Sequence, residues 1–279
     1  MTAGTGVRPA DAVGQILAAG GAVALTGAGI STDSGIPDYR GPTGATQRKH
    51  APMTYREFRQ EPAARHRYWA RSHAGWPLML RARPNAGHLA LATLEEQGLV
   101  AGVITQNVDG LHGAAGSRAV IDLHGRLDRV ACLDCGVVVP RDHVEEALVA
   151  VNGTWRPTPE VHNPDGDVEL TEEQIRAFRM VDCSACGGAL KPDVVYFGET
   201  VPRPRVDECF AQVEGASALL VLGSSLHVFS GRRFVQRAAD RGIPIVIVNQ
   251  GPTRGDGLAR IRVEAPLSEF LTDLTGACT

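Results

Sequence analysis

Val23-Ala24-Leu25-Thr26-Gly27-Ala28-Gly29-Ile30-Ser31 places a short apolar run directly ahead of a glycine turn. A run with no polar alternation reads as a strand buried on both faces. The glycines suit a turn where backbone N–H groups approach a pyrophosphate at a helix start, although packing alone also produces glycine-rich strand ends, and the spacing is not GxGxxG. Upstream, apolar residues recur at helical spacing from Ala12 to Ala19 and stop at Gly20-Gly21. Downstream, buried-strand patterns return at 100–105, 120–123, 194–197, 218–222 and 243–249, with helical stretches between several of them. The alternation predicts an α/β fold, a Rossmann-like parallel sheet with helices on both faces, which binds ligands at the carboxyl ends of its strands.

The 279 residues are 43% hydrophobic, 21% charged and 5% aromatic, a usage that excludes wholesale disorder, coiled coil and collagen. A formal net charge of −3 gives no cationic footprint for phosphate backbones and argues against nucleic acid as principal ligand. No apolar run approaches the roughly 20 residues of a membrane span. The segment 1–14 has neither the apolar core of a secretory signal nor the Arg-rich look of a transit peptide. A cytoplasmic protein with small-molecule and protein partners is expected, and its oligomeric state stays open, a monomer included.

Two stretches break the alternation and are expected to pack together as a smaller lobe. Residues 43–84 read as a cofactor loop followed by a helical insert. Residues 130–190 read as a metal module, within which Thr171-Glu172-Glu173-Gln174 forms a capping box opening a short helix with Ile175 and Phe178 facing inward. Cys132-x-x-Cys135 and Cys183-x-x-Cys186 have the two-knuckle spacing that brings four thiolates around Zn²⁺. Two redox dithiols are the competing reading. With four cysteine ligands the site is closed, hence structural. Cys209, beside Phe210, reads as a buried small hydrophobe, and Cys278 as part of a frayed tail.

Polar motifs gather at the strand ends. Gly35-Ile36-Pro37-Asp38-Tyr39-Arg40-Gly41 sets a carboxylate, a phenol and a guanidinium on one loop. Gln106, Asn107 and Asp109 in Thr105-Gln106-Asn107-Val108-Asp109-Gly110 can hydrogen-bond ribose hydroxyls and a carboxamide, or form a turn with a helix cap. His124-Gly125, after the 120–123 strand, supplies a candidate general base.

Taken in order, GAGIS (27–31), GIPDYRG (35–41), TQNVDGLH (105–112), HG (124–125), the two CxxC pairs, KPDVVYFGE (191–199), GSSLHV (223–228) and VNQG (248–251) resemble the sirtuins, NAD-dependent protein-lysine deacylases and ADP-ribosyltransferases. The Tyr of PDYR, GSSL, RYWAR followed by GWP, and GPTR (251–254) are similar to class II, the sirtuin-four-like branch, and the leader-free start points to a bacterial member.

The resemblance implies an NAD-binding domain from residues 1–42, 85–129 and 191–279, with one structural zinc ion in the 130–190 module. Gly27, Ala28, Gly29 and Ser31 would line the pyrophosphate and ribose. Ile36 and Asp38 would hold the nicotinamide carboxamide, and Tyr39 and Arg40 would close over it. Gln106, Asn107 and Asp109 would position the nicotinamide ribose, with Asn107 and His124 catalytic. Gly223, Ser224, Ser225, Asn249, Gln250 and Gly251 would take the adenosine half, and Leu267 the adenine. An acyl-lysine protein substrate would lie as an added strand against Val195, Phe197, Gly198, Leu226 and Val228.

The implied products are free lysine, nicotinamide and O-acyl-ADP-ribose. The alternative on the same site is ADP-ribosylation of a protein. Succinyl-preferring sirtuins resemble one another in a Tyr-x-x-Arg pair just after the PDFRG-like loop, and the corresponding 41–50 here holds no tyrosine, so strong desuccinylation is not expected. Bulky acyl groups are. Two rivals remain: a zinc protein that binds NAD without turning it over, and a dehydrogenase, the latter disfavoured by the missing GxGxxG fingerprint.

Overall fold

The computed structural model describes residues 8–39, 52–158 and 163–278. Arg40, the 41–50 stretch and its Arg48 and Lys49 lie outside the described residues. Pro9 opens α1 (Pro9–Leu17), where its missing N–H costs nothing. The chain then forms β1 (Ala22–Thr26), α2 (Tyr55–Gln60), α3 (Pro62–Arg81), α4 (Ala86–Glu96), β2 (Val100–Thr105), α5 (Leu111–Ala114) and β3 (Val120–Asp122). Next come β4 (Gly125–Cys132), β5 (Val138–Pro140), α6 (Arg141–Asn152), α7 (Glu172–Ala177) and β6 (Leu190–Val194). The last third contains α8 (Arg203–Gly215), β7 (Leu219–Leu222), α9 (Phe229–Asp240), β8 (Ile245–Val248), β9 (Ile261–Val263) and α10 (Leu267–Ala277). Among the described residues no helix is long and apolar enough to cross a membrane.

Six strands form one sheet in the order β3-β2-β1-β7-β8-β9, with every pairing parallel. All residues of β1, β7 and β8 are buried, as apolar strands covered on both faces must be. One face packs against α1, α4 and α10 through Leu17, Leu91 and Leu271, and the other against α8 and α9 through Val213 and Phe234. The chain leaves β1 toward β2 on one side and returns to β7 on the other. That reversal opens a crevice at the strands' carboxyl ends. The tail is docked and not frayed: α10 buries Leu267, Phe270, Leu271 and Leu274, and a Cβ on Gly14 of α1 would lie 3.5 Å from the Cys278 sulfur.

The 194–197 strand expected in the parallel sheet is elsewhere. β6 ends at Val194 and pairs antiparallel with β4 in a separate three-stranded sheet, β5-β4-β6. The cysteine knuckles explain this. Bringing four sulfurs together draws the segments flanking them side by side, Cys132 opposite Leu190 and Ala131 opposite Lys191. Val195 to Gly198 then run as irregular chain, tied by Val195 N–H to the His124 carbonyl and by Tyr55 N–H to the Phe197 carbonyl.

This sheet joins α2, α3, α6 and α7 around a second core containing Phe58, Tyr68, Trp69, Trp76 and Tyr196. The capping box at Thr171 forms as expected, and Ile175 and Phe178 are buried. The guanidinium of fully buried Arg141 sits over the rings of Trp69 and Trp76 and is paired with Glu145. The 163–169 segment crosses α3 at Gly75, where a Cβ would lie 2.2 Å from the Gly166 carbonyl oxygen. Backbone would have to shift to admit the methyl group, so Gly75→Ala should cost about 1–3 kcal/mol. Urea unfolding checks this, with an unchanged midpoint as the contrary result.

Candidate functional site

A cleft of about 1220 Å³ opens at the carboxyl ends of the parallel strands and runs under the smaller lobe. Gly27, Ala28, Gly29, Ser31, Ile36, Asp38, Tyr39, Gln106, Asn107, Asp109 and His124 all line it. So do Val195, Phe197, Gly198, Gly223, Ser224, Ser225, Leu226, Val228, Asn249, Gln250, Gly251 and Leu267. Of the residues expected there from sequence, Arg40 alone is outside the described chain.

The glycine turn answers a packing demand. A Cβ on Gly27 would lie 2.8 Å from the Gly223 carbonyl oxygen, and one on Gly29 would lie 2.9 Å from Gly223 Cα. The loops after β1 and β7 can touch only because these side chains are missing. The N–H groups of Gly27, Gly29, Ile30 and Ser31 already donate to backbone carbonyls. What the turn offers a ligand is therefore chiefly close approach to the backbone. On the facing loop Leu226 adopts φ of 55°, the one positive φ among the described non-glycine residues, with its N–H donating to Ser224 Oγ.

The loop after β2 is wired into this turn. Asn107 Nδ2 donates to the Gly27 carbonyl at 3.2 Å and to Ser31 Oγ at 3.0 Å, which leaves its carbonyl oxygen to receive a ligand hydroxyl. Ser31 Oγ donates to Asp109 Oδ2 at 2.7 Å, and Asp109 Oδ1 caps the start of α5 at the Leu111 N–H. Gln106 Nε2 donates to the Thr26 carbonyl and to Ser224 Oγ. Ligand-facing and capping roles thus coexist in one loop.

His124 joins β3 to β4 at the cleft floor. Its Nδ1 lies 2.9 Å from the Gln106 carbonyl oxygen and its Nε2 2.8 Å from Ser230 Oγ. Burial pushes its pKa below the ordinary histidine value, against the pull of the Gln106 carbonyl and with the help of Arg233 and Arg205. The ring is neutral at pH 7, as a general base must be.

Beneath the turn His88 and His112 are buried with ring centroids 4.9 Å apart, and His112 Nε2 is 2.9 Å from Thr26 Oγ1. Burial lowers both pKa values, with His112 carried to about 3 and also opposed by His88. A histidine kept neutral when folded but protonated when unfolded stabilises fully above pH 6.5 and loses that contribution as pH falls toward the folded value. Stability should fall by up to about 1.4 kcal/mol per pH unit for each such ring below pH 6.5. Urea midpoints from pH 7 to 5 test this. His112→Gln should flatten the slope, and equal slopes would contradict the assignment.

The cysteines converge in two matching knuckles. Gly136 N–H donates to the Cys132 carbonyl and Gly187 N–H to the Cys183 carbonyl, each glycine at φ of 74°. All four sulfurs lie within 4.8 Å of one another, and Cys132–Cys186 and Cys135–Cys183 are 3.5 and 3.9 Å apart. Thiolates 2.3 Å from a tetrahedral Zn²⁺ stand about 3.8 Å apart, so the set fits the ion. Contacts run between the knuckles as well as within them, so the four sulfurs form one cluster and not two separate dithiols. The four-cysteine cluster has the ligands and spacing to hold a structural zinc ion.

Sequence reasoning missed Tyr68, Met79, Leu127, Asp165, Tyr196, Ser230 and Arg233 on the cleft wall. Tyr68 belongs to a Tyr-x-x-Arg spacing with Arg71, displaced from the 41–50 window onto α3. Tyr68 reaches the cleft, whereas the Arg71 guanidinium is 3.2 Å from Asp167 and 2.8 Å from Glu169, its charge already paired.

These features agree with comparisons to known proteins. NAD-dependent protein deacetylase 1 of Streptomyces coelicolor is 58% identical over 260 residues, covering 93% of this chain and 87% of that protein. The mitochondrial NAD-dependent protein lipoamidase sirtuin-4 of Bos taurus is 47% identical, covering 88% of this chain and 79% of that protein. A solved structure described as Sir2-p53 peptide-NAD+ superposes with a TM-score of 0.75 at 32% identity, covering 94% of this chain and 95% of that one. The Sir2 family pattern itself matches residues 27–230, from the glycine turn through the zinc knuckles to Ser230, and the chain belongs to that family.

Proposed function

We propose that this chain is an NAD-dependent protein-lysine deacylase that releases nicotinamide and an O-acyl-ADP-ribose. One observation carries the reading. The glycine turn, the Asn107 carbonyl oxygen and a neutral His124 converge in a single cleft at the reversal point of the sheet.

In this reading the loops after β1 and β7 receive the dinucleotide, with Asn249, Gln250 and Leu267 on its adenosine side. Ile36 and Asp38, both buried, hold the carboxamide away from water. Asn107 orients the nicotinamide ribose through its carbonyl oxygen. His124 then removes a proton from a ribose hydroxyl, whose oxygen attacks the acyl carbon carried by the substrate lysine. Phe197, which meets Tyr39 edge-on, and Leu226 border the path of the lysine. Cys132, Cys135, Cys183 and Cys186 hold the zinc, which ties the knuckles together. Residues 1–42, 85–129 and 191–279 serve as the NAD-binding domain, beside the 43–84 insert and the 130–190 module.

The acyl group is taken to be neutral and bulky. Tyr68, Met79, Leu127 and Tyr196 offer phenols and apolar surface, and the paired Arg71 has no charge to spare for a terminal carboxylate. The bovine relative's name as a lipoamidase points the same way. Nicotinamide release measured with acetyl-, lipoyl- and succinyl-lysine peptides tests this. Release should require an acylated peptide, with succinyl the poorest. Release that ignores acylation would overturn the reading, and succinyl as the best substrate would overturn the acyl assignment.

A further inference from the structure

His124 does not face the cleft with a bare ring nitrogen. The Gln106 carbonyl can only accept, so Nδ1 carries the hydrogen and Nε2 of the neutral ring is an acceptor. The group 2.8 Å from Nε2 is the Ser230 hydroxyl, which therefore donates to it. Ser230 also lines the cleft, where its lone pairs can accept from an incoming hydroxyl.

The placement of this hydroxyl is built by its neighbours. Ser230 lies in the first turn of α9, followed by Gly231, where a Cβ would fall 2.5 Å from Gln106 Oε1. Glycine lets that turn close on the residue whose carbonyl holds the far side of the His124 ring. The Ser230 carbonyl accepts from Arg233 Nε at 3.0 Å, which fixes the turn from below. The charged groups acting on His124 are Arg233 of α9 and Arg205 of α8, both cations, so the hydroxyl is its neutral partner.

We propose that Ser230 is a second proton-transfer group of this cleft, standing between His124 and the ribose hydroxyl that reacts. The inference rests on the deacylase reading. The ribose hydroxyl gives its proton to Ser230 Oγ as the original Ser230 proton passes to His124 Nε2. Two O–H bonds break, one O–H and one N–H bond form, and the ribose oxygen keeps the electron pair with which it attacks. Ser230 ends as a hydroxyl and His124 as a cation. Direct transfer to Nε2 would first require the existing Ser230 bond to break.

The test compares wild type, Ser230→Ala and Ser230→Thr with NAD and an acyl-lysine peptide. Ser230→Ala should lose about 10²-fold in kcat with little change in KM for NAD, whereas Ser230→Thr, which keeps the hydroxyl, should stay within about threefold of wild type. A proton inventory in mixed H₂O and D₂O should be curved for wild type, where two protons move, and linear for the residual activity of Ser230→Ala. A merely structural serine would leave its shape unchanged. Ser230→Ala within threefold of wild type, Ser230→Thr as impaired as Ser230→Ala, or identical inventories would overturn the proposal while the deacylase reading stands. A wild type that releases no nicotinamide overturns both.

Discussion

Replacing His124 by Ala should lower kcat by about 10²- to 10⁴-fold and leave KM for NAD nearly unchanged. The split follows from the wiring. The groups placed around the dinucleotide are held by one another, Asn107 by Gly27 and Ser31, and Gln106 by Thr26 and Ser224. The imidazole touches this set only at the Gln106 carbonyl, so the side-chain bonds that place these groups survive its loss while proton removal does not. The pH profile supplies a second reading. Burial and the cations Arg233 and Arg205 lower the pKa of His124, so its neutral, active form persists below the pH at which a solvent-exposed histidine protonates. The acid limb of kcat/KM in wild type should therefore lie below pH 6.5 and vanish in His124→Ala. A parallel rise in KM, or unaltered turnover, would remove His124 from the chemistry.

Zinc removal, or Cys183→Ser, should unfold the smaller lobe and abolish activity together. Structural zinc contributes roughly 10–16 kcal/mol in small zinc-binding peptides, as much as the roughly 5–15 kcal/mol that holds a whole domain folded. Here Cys132 and Cys183 are also part of the second core, with Phe178 and Leu190. Loss of the ion sets thiols against one another at the edge of that packing, where Cys132 and Cys183 are buried and Cys135 and Cys186 exposed. β4 carries the effect to the cleft, because it runs from Gly125, next to His124, to Cys132. Metal analysis, near-ultraviolet circular dichroism and nicotinamide release on one preparation test the link. A folded, active, zinc-free Cys183→Ser would break it.

The parallel sheet was legible because its central strands are buried on both faces and so leave uninterrupted apolar runs. The zinc site was legible because two knuckles need fixed spacing. The antiparallel β4–β6 pairing was not, since it is imposed by the convergence of the cysteines and has no local signal in 190–197. Docking of the tail likewise depends on packing of α10 against α1 and α4, distant in sequence, and β9 is too short to stand out by pattern. At the cleft, the expected residues sat in motifs at strand ends. Ser230, Tyr68 and Asp165 come from helix starts, helix faces and the crossing segment at Gly75, and tertiary packing alone brings them to the wall. The glycine turn shows the limit of motif reading: its glycines are required by the approach of Gly223, a demand visible only in three dimensions.

In the proposed reaction this cleft couples cleavage of NAD to removal of an acyl group from lysine. Mass spectrometry of the products formed from NAD and a lipoyl- or acetyl-lysine peptide, with wild type beside His124→Ala, tests it directly. Unmodified peptide, nicotinamide and O-acyl-ADP-ribose are expected in equal amounts, all lost in the variant. An intact acyl-lysine accompanied by a protein that has gained ADP-ribose, or NAD left unconsumed, would contradict it.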